Sequence, residues 1–402
     1  VFRSSRLRMV LAGGAALALL VACGSDDDGD DSAAQGPDAG EVDEDGDDDE
    51  DEDEGADLDD LAELTEVTLG YVSAVDQMGA AIALDLGFYD DVDLDVELAQ
   101  PFPTGVDALN ALDAGEVDFV QVGTPSIGAV LEGMDLVYLG NYSGSSSQLG
   151  IDETMAMVAS SESGIDPDDL STLAGKRIGV SIGSINHLYL LGVLEEAGLS
   201  PDDVDIQNTP PPEMPVALET DGLDAAVIWD PWPIVTTHSV DGAFEVVRGG
   251  GYIAYIGYIV STREYVEENP DTVEALLTAR AAADHWMREN PDDAADVTVR
   301  WVPGTEIEVA EEAMEYNIIQ LDPRFSACNY LALDTMMGVF ADMEVVDGTY
   351  DVNDHFVPGP ILNVMEQHPE LFDDLPEIPE EAQISADYVF ERGEAQSACP
   401  EG

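Results

Sequence analysis

From Leu64 onward, short strand-like runs alternate with longer segments whose apolar residues recur at helical spacing. "EVTLGYVS" (66–73) reads as a strand and "QMGAAIALDLGFYDD" (77–91) as a helix closing near Gly87. "VDLDVELA" (92–99) alternates as a half-buried strand does, "GVDALNALDAGEV" (105–117) is helical, and "DFVQVG" (118–123) is a buried strand. "TPSIGAVLEG" (124–133) opens another helix, with Thr124 as N-cap and Pro125 at its first position. Strands follow at "MDLVYLGNY" (134–142) and "TMAMVAS" (154–160). After Ser160 the alternation starts again. A short helix within 163–175, a strand "KRIGVS" (176–181) and a helix "INHLYLLGVLEEAG" (185–198) come first. A strand "DVDIQNTP" (203–210), a helix "PEMPVALETDG" (212–222) and a strand "LDAAVIWDPW" (223–232) follow. "GYIAYIGYIVSTREY" (251–265) then reads as a returning strand, with helices at 270–289 and 305–320 and a helix-rich tail. This order predicts an α/β protein of two parallel-sheet lobes, with a chain that leaves the first lobe and comes back to it. A cleft between hinged lobes is the natural ligand site. The expected boundaries are 64–158 for the first lobe, 159–255 for the second and 256–402 for the return and the C-terminal helices.

One stretch draws attention to that cleft. "GKRIGVSIGSINHLYLLGVLEEAG" (175–198) joins a buried strand to a helix through a Gly-Ser turn. The turn sets Ser184, Asn186 and His187 beside the open N–H groups of the helix, a place suited to an anionic or carbonyl-bearing group.

Charge and the N-terminal residues locate the protein. Arg3, Arg6 and Arg8 precede an apolar run, Met9 to Val21, which has the length of a signal-peptide core and is short for a bilayer span. The run ends in "LVAC", which resembles the bacterial lipobox and makes Cys23 the expected lipidated first residue after a signal peptide at 1–22. Residues 26–60 hold 21 Asp and Glu and no Lys or Arg, so 23–63 is expected to be a disordered acidic tether. Residues 61–402 carry 66 acidic against 9 basic side chains, a formal charge of −57, yet are rich enough in Val, Ile, Leu and Ala to bury a core. Such charge fits a saline habitat, since salt near 1 M shortens the Debye length to about 3 Å. With no basic stripe, nucleic acid is excluded as a partner. Cys328 and Cys399 form an even pair in an exported chain and are expected to bond. No CxxC, Cys/His cluster or HExxH is present, so neither a structural zinc nor another cofactor is expected.

Five motifs in order carry a family likeness: "GYVSAVDQMGAAIALDLGFYD", "ALDAGEVDFVQVGTPS", "DDLSTLAGKRIGVSIGSINHLYLL", "LETDGLDAAVIWDPW" and "STREYVEENPDTVEALLTARAAADHWMRENP". Over residues 66–300 the chain resembles the solute-binding proteins of ABC importers for taurine, alkanesulfonates and nitrate. The resemblance implies a two-lobed periplasmic-binding-protein-like (type II) fold with the ligand between the lobes. It also implies a permease and an ATPase as partners, and no catalysis.

The loops after the strands supply the candidate ligand residues. In the first lobe these are Asp76 and Gln77 of "SAVDQ", Thr124 and Ser126 of "GTPS", and Glu153, where the taurine branch of the resembling family has a Glu before a strand. In the second they are Ser184, Asn186 and His187 of "GSINH", where the family has a Ser/Thr-rich helix start, and Trp229, Asp230 and Trp232 of "IWDPW". Tyr252, Tyr255 and Tyr258 lie on the returning segment, and aromatics around carboxylates make a cage for an ammonium group, with Tyr255 in the expected set. Scarce Lys and Arg favour a taurine-like zwitterion or amine as solute. A strictly anionic sulfonate or nitrate, or a thiamine pyrimidine precursor, is the alternative. An enzyme is disfavoured, because "GVSIG" keeps Ser181 inside a strand and away from a nucleophile elbow. A tethered sensor without transport is the reading from another class. The expectation is thus a monomeric capture lipoprotein on the outer face of the membrane.

Overall fold

The computed structural model describes residues 64–400, so the expected signal peptide, Cys23 and the tether lie outside the described residues. The chain first lays down β1 (Thr65–Gly70), α1 (Gly79–Asp85), β2 (Leu94–Leu98), α2 (Gly105–Asp113), β3 (Phe119–Val122), α3 (Pro125–Leu131) and β4 (Leu136–Gly144). It then crosses to a second lobe built from β5 (Met155–Ala159), β6 (Arg177–Val180), α4 (Ile185–Glu196), β7 (Asp205–Asn208), α5 (Met214–Glu219), β8 (Ala225–Trp229), α6 (Trp232–Ser239) and β9 (Phe244–Arg248). It returns as β10 (Ile256–Thr262) and continues through α7 (Arg263–Glu268), α8 (Pro270–Glu289), α9 (Pro291–Trp301) and α10 (Ile307–Asn317). The chain closes with α11 (Ala327–Asp342), α12 (Gly359–Gln367) and α13 (Arg392–Ala398).

Each lobe holds one five-stranded sheet. The first has the order β2-β1-β3-β10-β4, with β10 antiparallel to both of its neighbours; the second has the order β7-β6-β8-β5-β9, with β5 antiparallel to β8 and β9. β1, β2 and β3 run parallel in one sheet, as do β6, β7 and β8 in the other. Every residue of β3, β4, β5 and β8 is buried, as expected for strands covered on both faces, and this explains their near-continuous apolar runs.

The expected first-lobe boundary at 158 is corrected by pairing. β5 bonds along its whole length to β8, so the crossing occurs at 145–154 and β5 belongs to the second lobe. Apolar runs show that a strand is buried but not which sheet receives it. The expected return strand also starts later, at Ile256, because the glycines before it form the second crossing. α6, α9 and β9 have no counterpart in the pattern reading; β9, "FEVVR", is a half-buried outer strand with a weak alternation.

The two crossings are tied together. The Asp152 carboxylate on the outgoing segment accepts the N–H groups of Gly251 (2.9 Å) and Ile253 (3.1 Å) on the incoming one. Gly249, Gly250 and Gly251 all have positive φ (55°, 106° and 70°), a run that side chains with a Cβ would strain. The C-terminal helices rejoin both lobes. Asn317 at the end of α10 donates to Asp230 of the second lobe at 3.1 Å, and Tyr316 lies under the Arg248 guanidinium at 4.1 Å from its ring centre.

Cys328 and Cys399 are disulfide-bonded, stapling α13 to the start of α11 across 71 residues. A loop of that size corresponds to about 4 kcal/mol of chain-entropy stabilisation. Cys399→Ser is expected to lower the unfolding free energy by roughly 2–4 kcal/mol in denaturant titration, and an unchanged midpoint would show that the tail is held by packing alone.

Candidate functional site

Where β1, β3 and β4 of the first lobe end, and where β6 and β8 of the second end, the loops enclose a small cavity of about 30 Å³. By the measure in which one water needs roughly 10–15 Å³, it holds about two waters. The first lobe contributes Val72, Ala74 and Gln77 after β1, Gly105 at α2, Gln121 to Pro125 at the end of β3, Tyr142 of β4, and Tyr255 and Ile256 of the returning chain. The second contributes Ser184 and Ile185 at the start of α4, and Trp229 at the end of β8. The lining has no charged side chain.

The cleft is closed by direct bonds. The Thr124 hydroxyl donates to the Gly183 carbonyl (3.2 Å), and the Val75 N–H to the Asp230 carbonyl (3.2 Å). The indole N–H groups of Trp229 (3.4 Å) and Trp232 (3.1 Å) both donate to the Ser73 carbonyl. The tryptophans therefore clamp the first lobe's β1 loop, and only Trp229 also faces the cavity.

Beneath the cavity runs a buried polar chain. The Val72 N–H donates to Gln77 Oε1 (2.7 Å), and Gln77 Nε2 donates to the Tyr142 hydroxyl (3.0 Å). Gln121 Nε2 donates to the Gln77 carbonyl (3.0 Å), and Gln121 Oε1 accepts from Arg280 of α8. Arg280 pairs with Asp284 (2.9 Å) and reaches the carbonyls of Asp76 and Tyr142. With its acceptor capacity met by Gln77, the Tyr142 hydroxyl keeps its own hydrogen for the cavity. Ser184 makes no side-chain cap on α4, so its hydroxyl and the first N–H groups of the helix remain open.

Of the expected ligand residues, Gln77, Thr124, Ser184, Trp229 and Tyr255 come together around the cavity. The others lie elsewhere, each for a visible reason. The Asp76 carboxylate sits one layer back, where it accepts from the Tyr255 hydroxyl (3.0 Å). Ser126 donates to the Gly123 carbonyl (2.7 Å) and accepts from Tyr138 (3.1 Å). Glu153 is in the outgoing crossing, where its carbonyl accepts from Arg248 (3.0 Å). Asn186 bridges the Ser181 N–H and the Val227 carbonyl, fixing α4 to β8. His187 Nδ1 accepts from the Gly183 N–H (3.4 Å), and burial pushes its pKa down, so the ring sits neutral beside Phe340. Asp230 is fully buried against Arg248 (2.9 Å) and Asn317. Trp232 stops at the clamp. Of the other two tyrosines of the returning segment, Tyr258 is in the core and Tyr252 packs edge-on against Tyr189. Gln121, Tyr142 and Arg280 escaped the sequence reading: Gln121 and Arg280 each stand between apolar residues, and Tyr142 lies at the polar end of β4 between Asn141 and Ser143.

With this geometry in hand, kinship becomes informative. The family model described as "NMT1-like family" matches residues 60–302. The chain belongs to the NMT1-like family. A protein of Bacillus subtilis (strain 168), named for binding aliphatic sulfonates, is 30% identical over 244 residues, covering 59% of this chain and 70% of that one. The taurine-binding periplasmic protein of Escherichia coli (strain K12) is 26% identical over 238 residues, 58% of this chain and 69% of its own. Among solved structures, the alkanesulfonate-binding protein SsuA of Xanthomonas axonopodis pv. citri, bound to MOPS, superposes with a TM-score of 0.65 at 24% identity, covering 73% of this chain and 99% of that one. The periplasmic nitrate-binding protein NrtA of Synechocystis PCC 6803 gives 0.66 at 16% identity, covering 78% and 92%. The fold is thus that of the two-lobed periplasmic binding proteins, as the pattern and the resemblance led one to expect. Among the described residues, no group of His, Cys, Asp and Glu is arranged to hold a metal ion.

The buried carboxylates make stability depend on pH with a definite sign. Burial raises Asp76 to about 6, against the pull of Ser143, Tyr255 and Arg280; it raises Asp284 to about 6 and Asp230 to about 7 against their arginines. Folded pKa values above the unfolded ones mean that the native state binds more protons, so stability falls as pH rises through roughly 4 to 7. Melting in molar salt is expected to occur at a lower temperature at pH 8 than at pH 5, with a smaller difference in Asp76→Asn. An Asp76→Asn slope equal to that of the wild type would remove Asp76 from the account.

Proposed function

We propose that this member of the NMT1-like family captures a small solute bearing an oxyanion head, of the sulfonate type, and hands it to a permease. At the coarser level it is a solute-binding protein of the ABC-import type. The lobes close on the solute, and the closed form is the one delivered. The observation that carries the solute class is the character of the cavity: its open polar groups can all donate. These are the Ser184 hydroxyl and the N–H groups opening α4, together with the Tyr142 hydroxyl, in a lining without a charged side chain. The open amides and dipole of a helix start favour an anionic end by roughly 0.5–2 kcal/mol. A carboxylate for an ammonium group is one hydroxyl away, since Asp76 stands behind Tyr255, which keeps an aminosulfonate such as taurine within the class.

The chain is read as extracytoplasmic, held to the membrane by lipid on Cys23 through the acidic tether. The N-terminal pattern supports this, as does a disulfide that needs an oxidising compartment. No catalytic role is assigned.

The test is a thermal-shift titration of the protein in molar salt with methanesulfonate, longer alkanesulfonates, taurine, nitrate and glycine betaine. At 100 times its Kd, the true solute adds about 2.7 kcal/mol to stability. Ser184→Ala is expected to weaken oxyanion binding roughly fivefold, the worth of one hydrogen bond. Stabilisation by betaine alone, or by none of the oxyanions, would overturn the reading.

A further inference from the structure

A second cavity, of about 210 Å³, shares no lining residue with the polar one. Leu188 and Leu191 of α4 form one wall and Leu331, Met336 and Val339 of α11 form another, with Ile253 of the incoming crossing between them. Its walls belong to different lobes. Asn186 anchors α4 to β8 in the second lobe, whereas Asn329 anchors α11 to the first sheet by accepting the Tyr258 hydroxyl at its carbonyl (2.9 Å). The lining is mainly apolar, with Tyr252, Thr335 and Glu195 as its polar members, and an apolar cavity of about 150 Å³ already admits benzene. The space here is larger and reaches the surface at Val339, which is 37% exposed. The Glu195 carboxylate at its margin disfavours anions, so the oxyanions suited to the polar cavity do not suit this one.

We propose that this chamber is a second ligand site, for a small uncharged apolar molecule of about six to eight carbons, and that its occupant bridges the two lobes. One helix then serves both sites: the start of α4 faces the polar cavity, and its flank forms the apolar chamber. A molecule touching α4 and α11 together binds only while the lobes are closed, so it favours the closed state by its differential affinity.

The experiment is a benzene titration of the full-length protein in molar salt, read by melting temperature and by amide hydrogen exchange. Leu191→Trp fills the chamber from α4, and Val339→Trp fills it from α11. A saturable upward shift of about 1–3 °C is expected, with exchange slowed in both helices and the shift lost in whichever variant folds. No saturable shift in the wild type, or an equal shift in both variants, would overturn the site. Slowing confined to one helix would overturn the bridging.

Discussion

The buried pair of Arg280 and Asp284 sets the floor on which the ligand cavity is built. Two charges out of water are costly, and their attraction offsets that cost only when the remaining donors are also bonded. Arg280, 1% exposed, meets that condition with Gln121, two backbone carbonyls and Asp284. The arrangement dictates its surroundings. A Cβ at Gly79 would stand 2.4 Å from Arg280 and 2.5 Å from Asp284, so α1 can approach α8 only with glycine there. Gln121, with its oxygen held by Arg280, must offer its nitrogen to the Gln77 carbonyl, and Gln77 then orients the Tyr142 hydroxyl. Arg280 of α8, Gln121 of β3, Gln77 of the loop after β1 and Tyr142 of β4 are thereby locked in one orientation, and the placing of the Tyr142 hydroxyl at the cavity follows from them.

The same logic governs arginine throughout this acidic chain. All eight arginines of the body are ion-paired, from the half-exposed Arg300–Asp85 to the buried Arg324–Asp322. None is left to face the cavity. Arg248 with Asp230 does for the second lobe what Arg280 does for the first: it fixes the chain beneath the closing loop. The carbonyl of Asp230 then receives the Val75 N–H across the cleft. Closure thus joins two rigid floors rather than two mobile loops. The Asp152 carboxylate ties the outgoing crossing to the incoming one.

Much of this could be read from the chain. Strand–helix alternation conveyed the two sheets, and loops after strands pointed to Gln77, Thr124, Ser184, Trp229 and Tyr255, which the structure gathers around the cavity. Four of the expected residues that the structure places away from the cavity are engaged where they stand. Ser126, Asn186, His187 and Asp230 sit in the right loops, but a loop must also satisfy its own backbone, and these side chains are taken up by that need or, for Asp230, by ion pairing. Local sequence cannot show which of two neighbouring polar residues is consumed. Gln121 and Tyr142 were missed for another reason: each lies inside a strand buried along its whole length and not in a loop after one. Arg280 lies within a helix and not in a loop after a strand, and the close approach of α1 buries it. β5 shows a further limit, since a buried strand carries no label for its sheet.

A neutral cavity within a body of formal charge −57 has a consequence for how an anion is held. At a distance the protein repels an oxyanion; at about 0.1 M salt that repulsion acts over about 10 Å, and at 1 M over about 3 Å. Within the closed cleft the space left is about 30 Å³, bordered by Ser184, Tyr142 and the opening residues of α4. Salt therefore acts chiefly on the approach, where exposed carboxylates face the solvent, and little on the enclosed contacts. No arginine lines the cavity, and among the described residues every arginine is already paired with a carboxylate. On the proposed reading, donors without charge hold the oxyanion while salt screens the surrounding field.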